Sequence, residues 1–197
     1  MAIKPKPGEI YTIRRKILNV LGAKFHVYDE NANVIAFCKQ KAFKLKEDIR
    51  LYTDDSMGEE LFALKARQII DFGATYDLTL PGGGLLASFR RKGLKSSMVR
   101  DEWQIFDGEG QPVAVMKELG TWTPLARRYV DDLAALMPAR YAMERASDGQ
   151  QIAMFRQHFN LLVYRLGISV TRADEELDDL VILAAGALIA AIEGRQN

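Results

Sequence analysis

The sequence predicts a mainly β, α+β protein: a closed antiparallel barrel of about twelve strands around a central hydrophobic C-terminal α-helix, with one extra amphipathic helix. Three observations carry this expectation. One hairpin-like pattern recurs along the chain, turn-forming residues sit at its joints, and a late run, "LVILAAGALIAAI" (180–192), has no polar side.

The recurring pattern is an aromatic-rich extended run, a polar turn, a second apolar run and then basic residues. It is seen in "FHVYDENANVIAFCKQKAF", "RLYTDDSMGEELFALKARQI", "YDLTLPGGGLLASFRRKGL", "EWQIFDGEGQPVAVMKEL" and "YAMERASDGQQIAMFRQHF". Asp-Gly, Gly-Gly and Asn/Asp clusters at the joints tolerate the positive φ values of tight hairpins. Tyr28, Tyr52 and Tyr76 are expected to occupy comparable places in a repeat of roughly 24 residues. Strand signals fall at 9–15, 24–28, 33–38, 49–53, 60–66, 74–80, 85–91, 102–107, 112–118, 139–146, 151–157 and 161–170. So many consecutive antiparallel strands leave exposed edges unless the sheet closes into a barrel.

Two helices complete the reading. In "TWTPLARRYVDDLAALMPAR", Thr123 caps, Pro124 suits the first helical position and Pro138 stops the run, which predicts a helix over about 123–137. Its apolar face is Leu125, Tyr129, Val130, Leu133 and Met137, while Arg127, Arg128, Asp131 and Asp132 face away. The second helix is expected over about 174–193. Its apolar run from Leu180 to Ile192 spans about 20 Å, short of the roughly 30 Å hydrocarbon core of a bilayer. The preceding carboxylates of "ADEELDDL" suit a helix N-terminus rather than lipid. An all-apolar helix too short to cross a membrane belongs inside protein. Ala184, Ala185, Gly186, Ala187, Ala190 and Ala191 keep it slim enough for a barrel interior, and close backbone approach is the expected reason for Gly186.

Composition fixes the broad class. Apolar residues make up 48% and charged residues 27%, as in ordinary globular chains, and the length fits one domain over 1–197. A single cysteine, Cys38, within "VIAFC", excludes a disulfide framework and a cysteine-rich metal site, and it reads as a small buried hydrophobe. The start, "MAIKPKPGEIY", has no apolar run behind its basic residues, which predicts no signal peptide and a cytoplasmic protein. Net charge is +1, but residues 1–100 carry 18 Lys+Arg against 11 Asp+Glu. That asymmetry matters only if folding keeps the charges apart.

Repeated hairpins such as "FHVYDENANVIAF" followed by the late "LDDLVILAAGALIAAI" helix resemble the Tubby C-terminal-like superfamily, and within it the LURP-one-related proteins that also look like phospholipid scramblases. The resemblance implies a twelve-stranded closed barrel around a hydrophobic C-terminal helix. Through the Tubby domains, it also implies binding of phosphoinositide headgroups by basic residues. Relative to that pattern, the 123–137 helix is an insertion, and no acidic calcium-binding loop of the scramblase kind is present.

Catalytic constellations are sparse. His26 and His158 are the only histidines, and a nucleophilic pair with Cys38 would need one of them beside a buried thiol. "LPGGGLL" lacks the Lys-Ser/Thr of a P-loop and precedes a strand, so it reads as a turn. Asp54, Asp55, Glu59 and Glu60 of "TDDSMGEE" match no EF-hand spacing and read as a solvated hairpin turn. No catalytic residue, metal or cofactor is therefore expected.

The basic residues are the candidate ligand-binding set: Lys39, Lys41, Lys44, Lys46, Lys65, Arg67, Arg90, Arg91, Lys92 and Lys95. They follow the second strand of successive hairpins, so neighbouring hairpins are expected to gather them on one rim or face, where anionic lipid headgroups are the expected partner. The expected function is a non-enzymatic binding module docking peripherally on such lipid. Its alternatives are a protein-interaction scaffold using the 123–137 helix and a scramblase-like lipid transporter. Near-neutral net charge argues against nucleic acid.

Overall fold

A computed structural model of the chain describes residues 8–16, 24–39, 48–67, 74–92, 102–119, 138–158, 162–171 and 177–193. In chain order the strands are β1 Tyr11–Lys16, β2 Lys24–Asp29, β3 Val34–Lys39, β4 Asp48–Tyr52, β5 Glu60–Ala66 and β6 Thr75–Thr79. They continue as β7 Leu85–Arg91, β8 Glu102–Asp107, β9 Pro112–Glu118, β10 Arg140–Arg145, β11 Gln151–His158 and β12 Val163–Val170. Each strand pairs antiparallel with the next. β12 returns to β1, with Tyr11 opposite Ile168 and Lys16 opposite Val163, so the barrel closes as expected and leaves no edge.

One helix, α1 (Asp179–Glu193), fills the interior. Its residues Val181–Ala191 are buried on every side, against the inward residues of the strands: Phe25, Phe62, Phe89 and Phe155 have no exposed surface. The expectation of a slim helix holds, with a refinement at Gly186. A Cβ there would press on the side-chain ends of Ile168 and Ile13, at 3.1 Å for Ile13, so the approach is by side chains and not backbone. The helix begins later than 174. Asp178 caps it, its carboxylate accepting from the Leu180 N–H at 2.8 Å and its carbonyl from the Val181 N–H. The inserted helix expected at 123–137 lies outside the described residues.

Five hairpins, β2–β3, β4–β5, β6–β7, β8–β9 and β10–β11, share one construction. Each carries a register shift just before its turn, at Val27/Tyr28, Leu51/Tyr52, Leu78/Thr79, Ile105/Phe106 and Met143/Glu144. Each turn also holds a positive-φ residue: Ala32, Met57, Gly82 with Gly83, Gly110 and Gly149. The tyrosine repeat is corrected by this alignment. Tyr28 and Tyr52 stand at the equivalent bulge, but the third hairpin has Thr79 there. Tyr76 lies three positions earlier, buried against Trp103 at 5.9 Å.

Candidate functional site: the cationic end of the barrel

All five hairpin turns lie at one end of the barrel, because successive hairpins run in the same sense. The second strands therefore finish at the opposite end, and the basic residues that follow them are carried there. Lys39 closes β3 and is exposed, directly opposite Lys24. Lys65 is exposed on β5, between Asp48 and Asp77 on the neighbouring strands. Arg67 follows β5, Arg90 and Arg91 end β7, and Lys92 comes next. Lys41, Lys44, Lys46 and Lys95 lie outside the described residues.

The run Arg90-Arg91-Lys92 does not form one patch, because adjacent strand residues point to opposite faces. Arg90 faces out, over the Phe106 ring at 4.7 Å, whereas Arg91 turns toward the barrel mouth over buried Trp103 at 5.7 Å. Lys92 binds Glu102 at 3.0 Å. Arg67 clasps Asp77 through Nε at 2.7 Å and reaches the Ser88 hydroxyl at 3.2 Å. Burial raises the Asp77 carboxyl, but hydrogen bonds from Arg67 and Ser88 and the Arg67 charge outweigh it and hold the group below its ordinary value. The Arg67 guanidinium is raised in turn, chiefly by its bond to Asp77. On the wall from β5 to β8, much of the cationic charge is thus answered by a carboxylate.

Further round the same end stand cations that the hairpin pattern did not single out: Lys117 on β9, Arg140 on β10, Arg156 on β11 and Arg165 on β12. Lys117 binds Glu144 at 2.8 Å, which raises its ammonium. Arg140 and Arg156 are directly opposed across β10 and β11. Their signal in the sequence is alternation: each is the outward neighbour of a buried aromatic, Tyr141 or Phe155. Next to them, the Glu9 carboxylate accepts from Arg165 at 3.2 Å, pairs with His158 and lies over Gly167, where any Cβ would collide with it. Glu9 and His158 are 149 positions apart, so no local pattern announces this contact.

The turn end has the opposite character. Asp29 accepts from the Asn33 N–H at 2.7 Å, Asp54 from Ser56 at 2.8 Å, Asp107 from Glu109 at 2.9 Å and Asp148 from Gln150 at 3.0 Å. These carboxylates build the turns. The Asn33 side-chain amide is the main cause holding Asp29 low, and the Ser56 hydroxyl does the same for Asp54. "TDDSMGEE" is a hairpin turn, as expected, but its aspartates are partnered rather than simply solvated: Asp54 by Ser56, and Asp55 by His26 at 2.9 Å. Cys38 faces the interior, where burial pushes its thiol up, while His26 lies on the outer face beside Phe37. The sheet separates that pair.

This architecture defines a class: a tubby-like closed β-barrel threaded by a hydrophobic C-terminal helix. Residues 34–130 match the LURP-one-related family model. A solved structure, the X-ray structure of a protein from Arabidopsis thaliana, has the same fold at a TM-score of 0.50 and 17% identity, covering 98% of this chain and 98% of that one. No curated protein matches.

Proposed function

We propose that the protein is a peripheral docking module for anionic membrane surfaces, phosphoinositide-bearing ones included, at the cytoplasmic face. The observation that supports this most is the axial separation of charge. Among the described residues, Lys24, Lys39, Lys65, Arg90, Arg140 and Arg156 cluster at one end, while Asp29, Asp54, Asp55, Glu59, Asp107 and Asp148 cluster at the other. An anionic surface attracts the first end and repels the second, so the charge both binds and orients the barrel. Each Lys or Arg near such a surface contributes about 1 kcal/mol, screened by salt. The candidate set Lys39, Lys41, Lys44, Lys46, Lys65, Arg67, Arg90, Arg91, Lys92 and Lys95 contributes to this field collectively; no one of them is a dedicated pocket.

Vesicle co-sedimentation tests the proposal. The purified protein is expected to pellet with phosphoinositide-doped vesicles and not with phosphatidylcholine alone, more strongly at low than at physiological salt. Reversal of Arg90, Arg91 and Lys92 to Glu should weaken the pelleting markedly, because it replaces three positive charges of the collective field by negative ones. Absence of binding at low salt would sink the lipid reading.

A further inference from the structure

At one place on the described surface two arginines meet without an answering carboxylate and with an exposed leucine beside them. Arg140 and Arg156 stand directly opposite each other on the outer face of β10 and β11. Among the described residues, neither side chain has an ion pair or hydrogen bond, in contrast to Arg67, Lys92 and Lys117 at the same end. The adjacent carboxylate, Glu9, is held by His158 and Arg165, and Glu118 belongs to the inner face beside Tyr141. Like charges placed directly across a strand pair destabilise a sheet. An unanswered pair at this position suits a ligand that brings the negative charge.

Exposed leucines at the same end of the barrel indicate what that ligand is part of. Leu119, whose N–H donates to the Arg140 carbonyl at 2.7 Å, is 38% exposed. Leu162, immediately before β12, is 66% exposed, the highest exposure of any large hydrophobic among the described residues. Two arginines with Leu119 beside Arg140, and Leu162 farther off, just before β12, at the same end of the barrel, match a surface that offers phosphate oxygens and an apolar layer beneath them. We propose that Arg140 and Arg156 clamp a lipid phosphate of an anionic bilayer while Leu119 and Leu162 enter its apolar layer, which makes the β9–β12 sector the leading edge of the docked barrel. This rests on the docking function proposed above and names its contact point.

The test compares phosphatidylcholine vesicles with and without phosphatidylserine. The double variant Arg140→Gln/Arg156→Gln should bind the anionic vesicles about thirty-fold more weakly than the wild type, the effect of losing two cation contacts. Its melting temperature should be unchanged or higher, because a like-charge pair has been removed. A second measurement is independent of affinity. In Leu162→Cys, a polarity-sensitive thiol dye is directed to position 162, since Cys38 is buried, and its emission should shift to the blue on anionic vesicles. Undiminished binding by the double variant overturns the clamp and leaves docking standing. An unshifted dye on vesicle-bound protein overturns the leucine contact. Failure of the wild type to bind anionic vesicles overturns the docking function and the clamp with it.

Discussion

At the residue scale, the hairpin turns show how much of a backbone conformation side-chain chemistry announces. Gly83, Gly110 and Gly149 take positive φ in their turns, as "PGGG", "DGEG" and "SDGQ" suggest. Ala32 (φ 64°) and Met57 (φ 58°) take it too, and nothing in those residue types signals it. Their turns are instead fixed by Asp29 and Asp54, whose carboxylates seize backbone N–H groups two to four residues on. A left-handed non-glycine residue costs about 1–2 kcal/mol, part of which glycine returns as lost chain entropy. Ala32→Gly and Met57→Gly are each expected to raise stability by about 0.5–1 kcal/mol in urea denaturation; a lower midpoint for both would contradict the backbone account. Asp77 supplies a pH-dependent prediction. Its carboxyl is held below the ordinary value of 3.8, so its contribution is fully present above that pH and is lost as the pH falls through the lower, folded-state value. Arg67 is substantially exposed, which limits the pair to about 0.5–1 kcal/mol. Asp77→Asn should therefore destabilise by that amount at neutral pH, with the difference from wild type vanishing in strong acid.

At the element scale, the strands were legible almost residue for residue, because alternation and turn chemistry agree at every hairpin. β5, β7, β8 and β9 have the bounds expected from pattern alone, and most others differ by one or two residues. The tyrosine spacing misled because the third hairpin reaches its bulge three positions later than a strict 24-residue repeat requires, so Tyr76 is a core residue. The cationic end was legible as a tendency, since basic residues recur after second strands. Its partners were not, because Asp77 and Ser88 reach Arg67 through register that no local window contains. α1 was legible from its lack of a polar side, and two substitutions measure what holds it. Leu188 is fully buried, so Leu188→Ala should cost about 2–5 kcal/mol by removing contacts the enclosing strands cannot move in to replace. Asp178→Ala should cost about 0.5–2 kcal/mol through loss of the cap alone. Chemical denaturation of the two variants would reject the central-helix account if the cap mattered more than the leucine.

At the scale of the whole molecule, the barrel and α1 have no independent existence. A twelve-stranded ring without a core would be hollow, and a 15-residue helix that is apolar on every face has no stable place in water. Nor does α1 offer itself to a bilayer: at about 22 Å it falls short of a roughly 30 Å hydrocarbon core, and no helix among the described residues is long and apolar enough to cross one. Release of α1 from the barrel would expose its alanines and leucines together with the phenylalanines that surround them. Such a state lies as far uphill as global unfolding. Amide hydrogen exchange reads this directly. The α1 amides are expected to exchange only through complete unfolding, with the free energy measured by denaturant and in step with central amides of β1 and β12, against which the helix packs. Docking at the cationic end should leave α1 protection intact, because the contact is made by the outer wall while the helix stays enclosed. If anionic vesicles instead accelerated exchange in α1 while the strands remained protected, the helix would be leaving its barrel at the membrane, and docking would be the first step of insertion rather than an end in itself.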